Sequence, residues 1–184
     1  ELEAAYAAGE KGFDTLTDFN DAYGVIGRLV TTPSDYKIAI ESIIRKSVEE
    51  GQLTTEIRCA CDSLRSEDGR YLSMEEGTKV ILDAIEDVKA KLKAEGKEVP
   101  ATGFVFLSYR GKDWDASLSA AAQQAQQAVQ SAIAHPDMKF GFDIAGPEDS
   151  GWGPKAFSEA IGIIKDYNSK VESGEIRGQK IGIT

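Results

Sequence analysis

Histidine is nearly missing: His135 is the only one in 184 residues. It stands just before Pro136 at the end of a helical run, where an imidazole suits the negative end of the helix better than it suits catalysis. Cysteine is almost as scarce. Cys59 and Cys61 lie two apart in a stretch that reads as a strand, Leu53 to Cys61, and would share one face of it. One C-x-C cannot close a metal site and bridges poorly in an extended strand, so both are expected to be small buried apolar residues. Basic residues are outnumbered, 21 against 31 acidic ones, for a net charge of −10. That argues against a nucleic acid partner, because phosphate binding needs clustered Lys and Arg. No apolar run approaches the roughly 18 to 20 residues that span a bilayer. No basic segment leads into an apolar core at the start, so no membrane partner is expected and the cytoplasm is the expected setting. The strand-to-helix turns carry neither G-x-G-x-x-G nor P-loop spacing, and the glycines between Gly146 and Gly153 stand beside Glu148 and Asp149, which repel phosphate.

What is present is alternation. The length suits one domain, 1–184, with a helical lead-in over 1–51 and β/α units over 52–184. In the lead-in, Leu16, Phe19 and Tyr23 fall on one face of a short helix, and a second helix runs from about Ser34 to Glu50. After the strand Leu53 to Cys61 comes a charged loop, Asp62 to Tyr71. Ser73 and Glu76 then form a capping box for a helix to about Glu95. Thr102 to Arg110 is a second strand. A helix starting at Asp115 or Ser117 reaches Ala134, and its Gln123–Gln127 segment reads as a solvated face. Phe140 to Ile144 is a third strand, Pro154 opens a helix to about Glu172, and Lys180 to Thr184 begins a fourth strand. Apolar strands joined by helical crossovers imply a parallel sheet covered by helices, and a barrel segment fits better than a doubly wound sheet.

Chemistry points to one stretch, Phe140-Gly141-Phe142-Asp143-Ile144-Ala145-Gly146-Pro147-Glu148. A carboxylate late in a buried strand, followed by small residues and a proline, is where α/β proteins place functional groups. It is equally the place of an aspartate that caps the next turn.

These residues, with their order, resemble the adenosine deaminase family of metal-dependent amidohydrolases. Leu16-x-x-Phe19-x-x-x-Tyr23 followed by Leu29 to Asp35 is similar to the family's inserted helical hairpin. Thr55-Glu56-Ile57-Arg58 resembles its second barrel strand (Tyr-x-Glu-x-Arg), Phe104 to Arg110 the third, and Asp143-Ile144-Ala145-Gly146-Pro147-Glu148 the fourth (Asp-Leu-Ala-Gly-x-Glu). Lys180 to Thr184 resembles the opening of the fifth. The resemblance implies an α/β fold that is a partial (β/α)8 TIM barrel, about strands 2 to 5 with the N-terminal hairpin. It implies a purine nucleoside or nucleotide as ligand, with the Gly146 N–H facing the ring, Asp143 on the pocket wall, and Leu16 and Phe19 lining an apolar mouth. Trp152 either closes over that mouth or lies in a surface loop. Arg58 and Arg110 are expected to hold carboxylates and loops in place, with Glu56 as a partner for Arg58 or another buried cation.

The family's His-x-His pair, its later His-Ala-Gly-Glu motif and its metal-binding aspartate have no counterpart here. No catalytic residue and no metal ligand is therefore assigned, and zinc is expected only if flanking segments supply its site. The expectation is the central part of such a hydrolase, inactive alone and completed by a companion fragment. Two alternatives are a non-catalytic binding or assembly protein on a partial barrel, self-associating through its open edges, and an unrelated acidic α/β domain that shares only the alternation.

Overall fold

The structure, a computed structural model, describes residues 12–13, 15–27, 29–111, 113–146 and 153–184, without the side chains of Leu16, Thr17, Asn20, Asp21, Tyr23 and Ile26. Two helices lead in, α1 (Leu16–Gly27) and α2 (Pro33–Glu49). A β/α alternation follows: β1 (Thr54–Cys59), α3 (Met74–Ala94), β2 (Ala101–Tyr109), α4 (Trp114–Ala134), β3 (Phe140–Ala145), α5 (Ser158–Glu172) and β4 (Gly182–Ile183).

Local chemistry sets the helix starts. Thr32 and Asp35 form a capping box at α2, and Ser73 and Glu76 form the expected one at α3, where the Ser73 N–H donates to Glu76 at 2.7 Å. Helix α4 begins at Trp114, earlier than expected, because the Asp113 carboxylate accepts from the Ala116 N–H. Pro154 opens a 3-10 turn, Pro154–Phe157, with α5 starting one residue beyond it.

All four strands are parallel and their spatial order is the order of the chain, β1-β2-β3-β4. The order never reverses, as it would at the switch point of a doubly wound sheet. Register places Ile57 beside Phe104, Phe104 beside Phe140, and Phe106 beside Phe142. These residues therefore share one face, and they form a single core with Ile40 and Ile44 of α2, Ile81, Ile85 and Val88 of α3, Ala121, Ala125 and Ala128 of α4, and Ile164 of α5. Burying each Phe or Ile side chain contributes about 1.5–3 kcal/mol. Helix α2 is thus part of the same core as the β/α units, although it belongs to the lead-in.

The opposite face carries Glu56 and Arg58 of β1, exposed, then Val105 and Leu107 of β2, then Gly141 and Asp143 of β3. Val105 is only 5% exposed yet does not join the core cluster, as its position on this second face requires. At the far edge, the Asn168 amide satisfies both backbone groups of Ile181, donating to its carbonyl at 2.9 Å and accepting from its N–H at 2.7 Å.

Two expectations need correction. β1 stops at Cys59, and Cys61 opens a 3-10 turn, Cys61–Ser63, so the two thiols do not alternate along one strand. The helix α3 docks against that turn so closely that a Cβ at Gly77 would lie 2.2 Å from the Cys61 carbonyl oxygen. The glutamine segment of α4 is not simply a solvated face: Gln124 is 1% exposed, although Gln123 and Gln126 face water. No helix among the described residues is long and apolar enough to cross a membrane.

Candidate functional site

Three neighbouring strands end together at one margin of the sheet. Arg58 is the penultimate residue of β1, and Asp143 lies two residues before the end of β3. Register makes Arg58 level with Val105 and Asp143 level with Leu107 of the strand between them. Both side chains rise from the second face, and Arg58 Nη1 donates to Asp143 Oδ2 at 2.7 Å. The carboxylate is the more enclosed partner, its side chain 13% exposed against 42% for Arg58. A charge held this far from water needs such a partner.

Arg110, just past β2, makes the second join. Its backbone N–H donates to the Ala145 carbonyl at 2.8 Å, and its guanidinium donates to the Ile144 carbonyl at 3.0 Å. The last two carbonyls of β3 are therefore held by an arginine of the neighbouring strand. The chain then turns at Gly146 with φ +108°, where a Cβ would come within 3.1 Å of the Tyr109 ring and 3.2 Å of the Arg110 backbone nitrogen. Only glycine takes this conformation and this closeness without strain.

A cavity of about 540 Å³ opens here, lined by Asp143, Arg110 and Thr184 among the apolar side chains of Ile144, Pro154, Ile161 and Ile183. Its size suits a small organic ligand, and its lining offers one carboxylate and one guanidinium among apolar side chains. The expected site residues thus divide. Asp143 lines the cavity and Gly146 forms the turn beside it. Phe19 stands on α1, 44% exposed, with its ring edge-on to Phe13 at 5.4 Å, and is not among the residues lining the cavity. The Leu16 side chain, Pro147, Glu148, Asp149 and Trp152 lie outside the described residues.

Arg58 holds a carboxylate, as expected, but its partner is Asp143 on β3, whereas Glu56 is exposed on β1; Arg110 holds the end of strand β3 and not a loop. His135 follows α4, exposed, its backbone N–H donating to the Ser131 carbonyl at 2.8 Å. The Cys61 thiol is fully buried, and a hydrogen bond with it, together with burial, pushes the Cys59 thiol well above its ordinary pKa. A thiol whose pKa is raised in this way, as that of Cys59 is, is a poor nucleophile. Among the described residues, no group of three or more His, Cys, Asp or Glu could hold a metal ion.

No family model matches the chain, and neither does any curated protein.

Proposed function

We propose that this chain is the central, substrate-side part of an adenosine deaminase-like hydrolase acting on purine nucleosides or nucleotides in the cytoplasm, an arc of about strands 2 to 5 of a (β/α)8 barrel. What supports the reading is the juxtaposition of Arg58, Asp143 and Arg110 at the ends of three consecutive parallel strands, beside a turn that only glycine fits. A sheet wound in chain order, with its helices on one face, is the arrangement that barrels use. In this reading the Gly146 N–H and Asp143 meet the polar edge of a purine while Ile144, Ile161 and Ile183 flank its faces.

The metal of that family does not fit the described residues. The chain's single histidine caps a helix, and the described acids and thiols form no ligand set. In this reading the metal ligands that deamination needs come from a companion segment. The test is binding. Inosine titrated into the isotope-labelled chain should give saturable NMR shifts at Asp143, Gly146 and Arg110, and uridine should not. Equal, unsaturable responses to both nucleosides would overturn the proposal.

A second reading is an assembly protein. It is favoured by the second sheet face, where Glu56, Arg58 and Tyr109 are exposed beside half-buried Leu107, and by outer strands β1 and β4 that pair on one side only among the described residues. Such edges invite association with a companion fragment or a second copy. Light scattering that finds a monomer at high concentration would remove self-association.

A further inference from the structure

Only half of the Asp143 carboxylate is engaged. Oδ2 accepts from Arg58 Nη1 at 2.7 Å, and no other described residue donates to the group. The residue is 9% exposed, yet Oδ1 is not closed off from both solvent and partner, as Thr55 Oγ1, Ser108 Oγ and Gln124 Oε1 are. An open carboxylate oxygen on a residue that lines a cavity with Ile144, Ile161 and Ile183 calls for a donor from whatever enters.

Charge narrows what that donor can be. Arg58 already balances the carboxylate, and the Arg110 guanidinium also lines the cavity, so a further cation is not needed there. A neutral ligand with N–H groups fits better. A carboxylate accepts at both oxygens and donates at neither, so its best complement is two N–H donors side by side. Purines differ in this respect. Guanine carries such a pair, N1–H beside the 2-amino group. Hypoxanthine keeps N1–H alone, and adenine turns the lone pair of N1 toward the carboxylate, which leaves an enclosed acceptor unmatched.

We infer that the cavity selects guanine among purines, with the Asp143 carboxylate receiving N1–H and the 2-amino N–H together. The inference rests on the purine reading above and narrows it. Guanosine, inosine, adenosine and 1-methylguanosine, titrated separately into the isotope-labelled chain, provide the test through the shifts of Asp143 and Arg110. Guanosine should bind about tenfold tighter than inosine, the effect of one further hydrogen bond to a charged group, and adenosine and 1-methylguanosine should bind more weakly than either. Asp143→Asn puts a donor where an acceptor stood and should remove the preference for guanosine over inosine. If that variant does not fold, 1-methylguanosine, which lacks N1–H, asks the same question of the unaltered chain. Equal binding of guanosine, inosine and 1-methylguanosine would overturn the inference and leave the purine reading standing, whereas saturable binding of none of the four would overturn both.

Discussion

Arg58 and Asp143 are 85 positions apart in the chain and 2.7 Å apart in the fold, joined across the strand that separates them. The bond ties β1 to β3 over the second face of the sheet and holds the carboxylate that lines the 540 Å³ cavity. Removing Arg58 leaves an enclosed charge behind, whereas removing both partners does not. Arg58→Met should therefore destabilise the chain by about 1–2 kcal/mol, and the double variant with Asp143→Asn by less than the sum of the singles. Urea denaturation of the four-member cycle measures the coupling; additive losses would mean that the contact contributes nothing.

Gly146→Ala places a Cβ against Tyr109 and Arg110 in a backbone region that alanine resists. A loss of about 1–3 kcal/mol is expected. Because the same turn sets the position of the Gly146 N–H, any inosine binding should fall as well. A variant as stable as the parent, with unchanged amide shifts at Arg110, would show that the turn relaxes freely.

Two helical glycines should respond in opposite directions. A Cβ added at Gly162 of α5 would meet nothing within 4 Å, so Gly162→Ala should gain about 0.5–1 kcal/mol from helix propensity alone. Gly77→Ala meets the Cys61 carbonyl oxygen and must push α3 away from the 3-10 turn, so it should lose stability instead. Thermal melts of the pair, run side by side, decide it.

Acid should expose a different contact. The Arg45 guanidinium, bonded at both ends to the Glu95 carboxylate, holds that group down from 4.5 to about 2. Its folded-state pKa is depressed, so its stabilisation is present above pH 4.5 and is lost as pH falls from there toward 2. Arg45→Met should flatten that limb of the stability–pH curve, and high salt should flatten it partly, since both side chains are partly exposed. Denaturation midpoints across that pH range provide the check.

Sequence carried the frame further than it carried the contacts. The Ser73–Glu76 capping box and the alternating phenylalanines of β2 and β3 are local signals, and each led to its element. Cys61 misled because alternation with Cys59 resembles a strand, whereas the turn chemistry of Asp62 and Ser63 ends the strand at Cys59. Gln124 misled by composition. Its spacing from Ala121, Ala125 and Ala128 places it on the buried stripe, a periodic signal that polarity concealed. The partner of Arg58 was out of reach altogether, because it depends on strand register across 85 residues, and Glu56 was the nearer choice.

The amide of Asn168 does for Ile181 what a neighbouring strand would do, one donor and one acceptor meeting one carbonyl and one N–H. The start of β4 is consequently aligned from a helix, before its two-residue ladder with β3 contributes anything. Exchange of that amide nitrogen for oxygen, as deamidation brings about, would set a negative oxygen against the Ile181 carbonyl and leave the outermost strand without its guide rail.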